Sequence, residues 1–243
     1  MSPDPRPPKT VAIVQSNYVP WKGYFDLIGL VDEFVIYDTM QYTKRDWRNR
    51  NVIKAAGGPM WLTIPVETKG RFRQRIDETV VSDPSWAERH WKTLQSSYAR
   101  APCFNSVHPE IEALYRAPQP DHLSDINRRF IEALCRMLGI TTRITSSADY
   151  NCSGQRSERL LNICTAAGAT SYLSGPSARA YLDVDLFAKA GVGVEFMDYA
   201  GYDEYPQPHP PFKHEVSVLD LIFCTGANAR RYLKCFERTA ALP

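Results

Sequence analysis

Short apolar runs alternate with amphipathic stretches along this chain, and that order restricts the folds it can adopt. Apolar residues recur at helical spacing in two stretches. One begins at Pro20, after the apolar run Val11–Val14, and the other is Gly154–Ala167, before the run Ser171–Ser174. Strands separated by helices pair in parallel, because the helix carries the chain back to the edge where the first strand began. We therefore predict an α/β fold with a mixed, mostly parallel sheet flanked by helices. The runs that alternate with helices in this way are Val11–Val14, Glu33–Tyr37, Thr141–Thr145, Ser171–Ser174 and Val192–Phe196.

Three further stretches have helical patterns. Ser85–Tyr98 and His122–Leu138 each place apolar side chains on one face, and Gly139 is a typical C-terminal stop for the second. Ser217–Phe223 has the pattern of a capped apolar helix in which Asp220 is the lone acid. An ionised carboxylate among apolar side chains needs a partner, so Asp220 either turns outward or pairs with Arg, Lys or a protonated His.

The length of the chain suits a single domain. It has 243 residues, of which 44% are hydrophobic, and domains of this size are common. Four prolines and no apolar pattern in residues 1–10 predict a disordered tail, so a single domain would span residues 11–243. No apolar stretch approaches the roughly 20 residues that a bilayer needs. Ile28–Ile36, for example, is interrupted by Asp32 and Glu33.

Charge and cysteine content narrow the choice of partners. The 29 basic and 27 acidic side chains leave a net charge of +2, which gives no general attraction to nucleic acid or to anionic membranes. The six cysteines form no CxxC pair and follow no secretory leader. We therefore expect reduced thiols in a cytoplasmic protein, rather than disulfides or a metal site.

The most cation-rich segment, Gln41–Asn51, follows the second predicted strand. Asp38 ends that strand, at the edge where open α/β sheets tend to bind ligands. In the cation-rich segment, four cations are interleaved with Tyr42, Trp47 and two Asn side chains. One interpretation is a solvated hairpin that turns at Gly-Gly-Pro into the strand Met60–Val66. The other is a site in which Arg and Asn grip a carboxylate, phosphate or sugar hydroxyl while the aromatic rings stack on the ligand.

Two turns carry further candidate residues. Gly175 and Pro176 follow a predicted strand and precede what looks like a helix start. Backbone N–H groups there could bind an anion or oxyanion, although a Gly-Pro turn is more often only a turn. His209 lies between prolines, which could fix it towards a pocket or simply leave it exposed. The chain has neither a Walker loop nor GxGxxG, so no standard nucleotide site is predicted.

The sequence resembles the WbqC-like family. The resemblance rests on QSNYVPWKGYF at residues 15–25, on Asp38, and on QYTKRDWRNRN at residues 41–51. It continues through nearly the whole chain after the first ten residues. One departure is Ser16, where many relatives have proline. The family is mostly known from bacterial gene clusters for O-antigen and related sugars.

The resemblance implies an amide-forming acyl or aminoacyl transferase. Some relatives are suspected to attach an acyl or amino-acid unit, delivered as a carrier-protein thioester, to an amino sugar or similar amine in glycan or antibiotic biosynthesis. The implied partners are an acyl or peptidyl carrier protein and a small amine. No cofactor or metal is implied for the chain itself, since a phosphopantetheine group would belong to the carrier. Two alternatives stay open: a non-catalytic protein that binds a carrier or a sugar, and a thioester hydrolase.

Thioester aminolysis needs a deprotonated amine, a polarised carbonyl and contact between the two. Under the resemblance, His90 is the candidate base, unless it is only a core or surface histidine, and Asp38 orients His90 or the amine. Gln15, Asn17 and the Gly-Pro turn would polarise the carbonyl, and the cations at positions 44, 45 and 50 would bind a phosphate. The residues assigned to substrate binding are Gln15, Asn17, Tyr18, Trp21, Tyr42, Lys44, Arg45, Asn49, Arg50, Ser174 and Gly175, with His209 added from its own loop.

A covalent variant of the reaction would use a cysteine that accepts the acyl group first. Cys164 is the one cysteine within the matching motifs, and its position inside a predicted helix also fits a buried structural thiol. Cys152 lies nearer a helix start, where thiolates are favoured, but outside the family pattern. Cys135 is expected to be a small core residue, because it shares the apolar side of its helix.

Overall fold

The structure is a computed structural model that describes residues 7–151 and 153–237. Seven strands and seven α-helices lie within this part of the chain. The strands are β1 (Thr10–Val14), β2 (Glu33–Ile36), β3 (Arg50–Ala55), β4 (Gly58–Thr63), β5 (Arg143–Ser146), β6 (Ser171–Ser174) and β7 (Gly193–Phe196). The helices are α1 (Lys22–Gly29), α2 (Trp86–Tyr98), α3 (Phe104–Arg116), α4 (Leu123–Leu138), α5 (Arg156–Ala166), α6 (Val184–Lys189) and α7 (Val218–Thr225).

Five strands form a parallel sheet in the order β5-β2-β1-β6-β7. Strands β3 and β4 form a separate antiparallel hairpin. The α/β fold predicted from the alternation of strands and helices is confirmed. The chain first extends the sheet from β1 through β2 to β5 and then crosses to the other side of β1 to form β6 and β7.

Both faces of the sheet are buried, because alternate strand residues point to opposite faces. Val11, Ile13 and Val35 pack with residues of α5 and α6 on one face. Ala12 and Phe34 pack on the other face, in a larger core that includes α1, α4, α7 and the hairpin. A near-continuous apolar run is therefore what each central strand requires, and this is the pattern that the sequence carries.

Several predicted boundaries shift in the structure. Thr10, assigned to the predicted tail, begins β1, and the backbone N–H of Lys9 donates to the Thr170 hydroxyl (2.9 Å). The prediction for residues 1–6 lies outside the described residues. Strand β4 ends at Thr63, three residues before the predicted Val66. The stop at Gly139 is confirmed, since this residue has a φ of 72°, which glycine adopts without strain.

Helix α3 was not predicted from the sequence. It contains Pro109, which lacks the backbone N–H that a helix interior uses, and proline ordinarily signals a helix end. Its apolar residues Phe104, Ile111 and Tyr115 are nevertheless buried in the larger core. Packing against neighbouring helices therefore outweighs the local effect of the proline.

Among the described residues, none of the helices combines the length and the apolar character that crossing a bilayer requires. The cysteines in this part of the chain, Cys103, Cys135, Cys164, Cys224 and Cys235, are free thiols. Cys135 is buried in the larger core, as predicted. Cys152 lies outside the described residues.

Asp220 turns inward, and neutral donors surround it. Its carboxylate accepts hydrogen bonds from the hydroxyls of Tyr98 (2.8 Å) and Tyr205 (2.7 Å) and from the Gln207 amide (2.7 Å). Burial raises the pKa of Asp220, while these hydrogen bonds and the charge of the nearby Lys54 oppose the shift. Neither alternative stated from the sequence holds as such: the carboxylate turns inward, but its hydrogen-bond donors are neutral tyrosine and glutamine side chains rather than Arg, Lys or a protonated His.

We predict that Tyr98→Phe lowers the free energy of unfolding by about 1–3 kcal/mol. The Tyr98 hydroxyl also accepts the backbone N–H of Lys54 (3.0 Å), so the variant leaves a buried donor and a buried acceptor each without this partner. Urea denaturation measures the loss. Tyr181→Phe is the matched control, because Tyr181 is 68% exposed, and a change within about 0.5 kcal/mol is expected there. Equal losses in the two variants would contradict the prediction.

Candidate functional site

A buried carboxylate holds the loop that follows β1, residues 15–17, here termed the β1 loop. Asp38, two residues beyond β2, accepts hydrogen bonds from the Ser16 N–H (2.8 Å) and the Ser16 hydroxyl (2.6 Å). The Ser124 hydroxyl, in the first turn of α4, donates to the same carboxylate (2.5 Å). Burial raises the pKa of Asp38, and the hydrogen bonds and the charge of Arg48 oppose that shift. Proline at position 16 could supply neither of the Ser16 donors.

A second set of hydrogen bonds joins the β1 loop to the cation-rich segment. The Asn127 amide, on α4, donates to the Ser16 hydroxyl (2.9 Å) and to the carbonyl oxygen of Arg48 (2.8 Å). The Arg48 guanidinium donates to the carbonyl oxygens of Gln15 and Ser16 (both 3.4 Å) and to Asn17 Oδ1. Its Nε is buried and has no hydrogen-bond partner among the described residues. The loop is therefore held by hydrogen bonds from α4 and from Arg48, and the partly buried Arg48 side chain retains one unused donor.

A cavity of about 480 Å³ opens at the carboxyl ends of β1 and β6. From these adjacent strands the chain proceeds in opposite directions along the sheet, so this is the switch point at which open α/β sheets bind ligands. We term it the switch-point cavity. Its polar lining includes Gln15, Arg48, Ser174 and Gly175. Its aromatic lining consists of Trp21, Tyr24, Tyr37, Tyr172, Tyr181 and Tyr199.

A smaller slot of about 200 Å³ adjoins the switch-point cavity, because Trp21 lines both. The hydrogen bond from Arg48 to Asn17 also links the two linings. At the slot, the Trp47 ring packs against Trp61 with 5.3 Å between ring centroids, and both rings are more than 40% exposed. The slot is lined by Asn17, Trp21, Trp47, Asn51 and Glu215.

A larger opening lies elsewhere. It is a groove of about 690 Å³ lined by residues near the amino ends of β2 and β5, including Gly29, Thr142 and Arg230. None of the residues predicted for the site lines it. Ligands of parallel sheets bind at the carboxyl ends of the strands, so volume alone does not make this groove the better candidate.

The structure brings several predicted residues together. Gln15, Trp21, Ser174 and Gly175 line the switch-point cavity, and Asn17 lines the adjoining slot. Gly175 precedes a short 3₁₀ turn, Pro176–Ala180, rather than an α-helix. The Gly-Pro turn therefore lacks the α-helix N-terminus that the predicted anion site would use. It contributes only individual backbone groups to the wall of the cavity.

Tyr42 and Lys44 line a third cavity, outside the switch-point cavity and the slot. Arg45 is exposed, and the Arg50 guanidinium stacks 4.1 Å above the Trp61 ring. His209 is exposed on the proline-dense segment. Their assignment to substrate binding stays a prediction.

Two residues predicted to bind substrate are buried in the protein. The Asn49 amide donates to the carbonyl oxygen of Ile64 (2.8 Å), which fixes the hairpin beside the cation-rich segment. The hydroxyl of Tyr18 lies 2.7 Å from that of Tyr115, in the aromatic core. These contacts support the geometry around the site, and direct substrate binding by Asn49 or Tyr18 stays a prediction.

His90 lies in the core with both ring nitrogens engaged. Nε2 lies 3.2 Å from the carbonyl oxygen of Thr63, and Nδ1 lies 2.9 Å from the Tyr18 hydroxyl. A carbonyl oxygen can only accept, so Nε2 donates and Nδ1 of the neutral ring accepts from Tyr18. Burial lowers the pKa of His90 to about 4. His90 lines neither the switch-point cavity nor the slot, and its role as a base stays a prediction.

Cys164 lies in the core between the sheet and α5, outside the lining of the switch-point cavity. Burial raises the pKa of its thiol to about 12. Thiolate is the nucleophilic form of cysteine, so at neutral pH this thiol is unreactive and inaccessible. These observations favour the structural interpretation of Cys164 over the covalent one.

Sequence reasoning did not select Arg48 or Ser16 as site residues. Arg48 lies in the cation-rich segment and was considered only as part of its charge. Ser16 was noted only as a departure from the family pattern, although it supplies two of the three hydrogen bonds that Asp38 accepts. A partly buried arginine cannot be distinguished from an exposed one by motif alone, because its burial depends on contacts with a distant segment, here the β1 loop.

The fold and the cavity define an α/β protein with a candidate ligand site at the switch point of its sheet. Residues 15–232 match the model of the WbqC-like protein family, so the chain belongs to that family and the resemblance is confirmed. It is 50% identical over 226 residues to "Uncharacterized protein Rv1507c" of Mycobacterium tuberculosis (strain ATCC 25618 / H37Rv), covering 93% of this chain and 98% of that protein. No solved structure matches this chain.

We predict that His90 makes the fold sensitive to acid. Its folded pKa of about 4 lies below the ordinary 6.5, so the unfolded state binds the proton first, and stability present above pH 6.5 is lost as pH falls towards 4. The difference corresponds to about 3 kcal/mol. Urea denaturation between pH 7 and pH 4 should show a smaller acid loss in His90→Gln than in the wild type. His209→Gln is the exposed control and should follow the wild-type profile.

For Cys164→Ala we predict a stability loss of about 1 kcal/mol, because a buried sulfur leaves a small cavity. In an assay of amide formation from a thioester and an amine, the folded variant should turn over within about twofold of the wild type, as expected for a thiol that only packs in the core. Circular dichroism establishes that the variant is folded. An inactive but folded variant would favour the covalent route.

Proposed function

We propose that this protein joins an acyl group, presented as a thioester, to an amine, and that the switch-point cavity holds the acyl group. The observation that carries the proposal is Arg48. It is a cation with a side chain only 14% exposed, it lines the cavity beside Gln15, and its Nε has no partner among the described residues. Such a group suits a substrate oxygen that becomes negative during the reaction.

The lining of the switch-point cavity suits an acyl donor. Its aromatic and aliphatic side chains favour burial of an apolar acyl chain. A thioester carbonyl oxygen gains negative charge as it is attacked, and a charged donor in a site with little water stabilises that charge. Besides Arg48, the Gln15 amide and the Ser174 hydroxyl are donors within the same lining.

The adjoining slot suits the amine. The Glu215 carboxylate can receive an amino group, and the exposed ring of Trp47 offers a flat surface to one face of a sugar. Trp21 lines both the slot and the switch-point cavity. An amine in the slot and a thioester in the cavity would therefore be neighbours.

The reaction needs no nucleophile from the protein. The amine nitrogen attacks the carbonyl carbon, the carbon–sulfur bond breaks, and the leaving sulfur takes up the proton released by nitrogen, so that an amide and a free thiol are formed. A positive neighbour and poor solvation both lower the pKa of a bound amine. Arg48 and the apolar lining would thus oppose the protonated form of the amine, which the Glu215 carboxylate favours, and holding the two reactants in contact supplies much of the rate.

The test is to incubate the purified protein with acyl thioesters and a set of amino sugars and to identify products by mass spectrometry. The donors are one acyl group attached to a carrier protein and the same acyl group attached to N-acetylcysteamine. A new amide that depends on the protein supports the proposal. Free acid without amide supports the hydrolase, and binding of donor or sugar without turnover supports the accessory protein. Either of these two outcomes contradicts the proposal.

In the same assay we predict that Arg48→Gln lowers kcat at least about 100-fold, the size of effect seen when one oxyanion donor is removed. Arg48→Lys keeps the charge and loses the planar fork, so it should recover only part of the loss. Because Arg48 also braces the β1 loop, the melting temperature is measured in parallel. Arg128→Gln, which removes an arginine paired with Glu132 on the exposed side of α4, is the control for general effects of charge.

A loss of stability without a loss of kcat in Arg48→Gln would show that the guanidinium only supports the loop. Added guanidinium ion gives a second readout. It should restore part of the activity of Arg48→Ala if the missing group acts on the substrate, and it should have no such effect if the arginine serves only as a brace.

A further inference from the structure

A third cavity of about 370 Å³ lies between the cation-rich segment and a second loop, residues 67–75. The two segments are joined by hydrogen bonds from the Gln41 amide to the carbonyl oxygen of Phe72 and from the Tyr42 N–H to that of Gln74 (both 2.9 Å). We term it the basic cavity. Its charged lining consists of Lys44 and Arg71. No residue of the 67–75 loop was selected from the sequence.

The surroundings of the basic cavity are strongly cationic. Lys69 and Arg73 lie on the same loop as Arg71, and Arg45 follows Lys44. Among the described residues, Lys44, Arg45, Lys69 and Arg73 take part in no ion pair. Arg71 pairs with Glu67 at 2.8 Å, but both side chains are more than 40% exposed, so this pair is weak and an anionic ligand can replace the glutamate.

One buried acceptor in the basic cavity lacks a donor. Gln74 is 8% exposed, and its amide N–H group donates to the carbonyl oxygen of Glu67 (2.7 Å), which fixes the orientation of the side chain. Its Oε1 is then buried without a hydrogen-bond partner among the described residues. A buried acceptor of this kind is costly unless a ligand supplies an N–H or O–H. The cavity therefore calls for an anion and a hydrogen-bond donor on the same ligand.

The basic cavity neighbours the switch-point cavity. Met40 lines the switch-point cavity, and the next residue, Gln41, lines the basic cavity. A ligand with its anionic end at Lys44 and Arg71 could therefore extend past Met40 towards Arg48. Phe72, at the rim, is 80% exposed, which is unusual for a large apolar side chain and suits contact with a bulky group attached to the ligand.

We propose that the basic cavity binds the phosphate end of a phosphopantetheine arm, with Lys44 and Arg71 on the phosphate and Gln74 Oε1 accepting an N–H or O–H of the arm. This inference rests on the proposed function, since the arm carries the thioester that the switch-point cavity receives. The arm has the required chemistry, because it combines a phosphate with amide N–H and hydroxyl groups. It occurs both on carrier proteins and in coenzyme A, and the experiment distinguishes these two sources.

The experiment compares one acyl group on four donors: pantetheine, phosphopantetheine, coenzyme A and a carrier protein. The double variant Lys44→Ala/Arg71→Ala should lower the ratio of kcat/KM for acyl-phosphopantetheine to kcat/KM for acyl-pantetheine at least tenfold. Arg89→Ala/Lys92→Ala removes two exposed cations that are ion-paired on α2 and is the matched control. The control should retain the wild-type ratio. A wild-type ratio in the Lys44/Arg71 variant, or an equal fall in the control, would overturn the proposal.

Coenzyme A and the carrier protein, the remaining two donors, show which of them supplies the phosphopantetheine arm. If the wild type reacts faster with the carrier protein than with coenzyme A, and Phe72→Ser abolishes that preference, the rim at Phe72 contacts a carrier protein. A preference for coenzyme A assigns the rim to its nucleotide. Both results support phosphate binding in the basic cavity, provided that the Lys44/Arg71 variant lowers kcat/KM for the preferred donor at least tenfold.

Direct binding separates this inference from the proposed function. If no donor yields an amide, the proposed function fails, and titration calorimetry with phosphopantetheine and pantetheine still tests the cavity. The wild type should bind phosphopantetheine at least tenfold more tightly than pantetheine, and the Lys44/Arg71 variant should lose that difference. Equal affinities of the wild type for the two compounds would refute the phosphate site whether or not amide is formed.

Discussion

The hydrogen bonds between Asp38 and Ser16 fix the edge of the sheet on which the candidate site depends. A carboxylate buried at the end of β2 is costly unless donors surround it, and three of those donors come from the β1 loop and α4. The hydrogen bonds that Asp38 accepts therefore also fix the β1 loop and hold it close to α4. Asn127 extends the same network to Arg48. This hydrogen-bond network thus positions the polar groups of the switch-point cavity, while the Asp38 carboxylate within it remains buried.

Burial divides the polar residues into those that are hydrogen-bonded inside the protein and those that line the cavities. Asp38, His90 and Asp220 are the groups that a search for acids and bases selects first, yet all three are at least 94% buried and hydrogen-bonded within the protein. The switch-point cavity and the basic cavity are lined instead by arginine, lysine, amides and hydroxyls, and Glu215 is the acid that lines the slot. Such a lining binds and polarises a substrate and offers few groups for proton transfer. This distribution fits a reaction between an activated acyl group and an amine, in which the thioester supplies the driving force.

Much of the fold could be predicted from the sequence, because periodicity reports directly on burial. The central strands and helices α1, α2, α4 and α5 follow from apolar spacing, and the rule for parallel sheets locates Gln15 and Ser174 at one edge. Helix α3 could not be found in this way, since Pro109 opposes it locally and tertiary packing stabilises it. The partial burial of the Arg48 side chain and the pairing of the 67–75 loop with the cation-rich segment depend on contacts between distant segments, which no local pattern encodes.

The net charge of +2 conceals a strong asymmetry. Lys44, Arg45, Lys69, Arg71 and Arg73 lie on two adjoining segments, while many acids are engaged in ion pairs elsewhere, as on α2 and α4. Surface charges beyond about 8–10 Å are screened at physiological salt, so the local concentration of cations matters more to a small ligand than the sum over the chain. The sequence argument against long polyanions is compatible with a phosphate site, because a single phosphate needs only the few cations within its immediate reach.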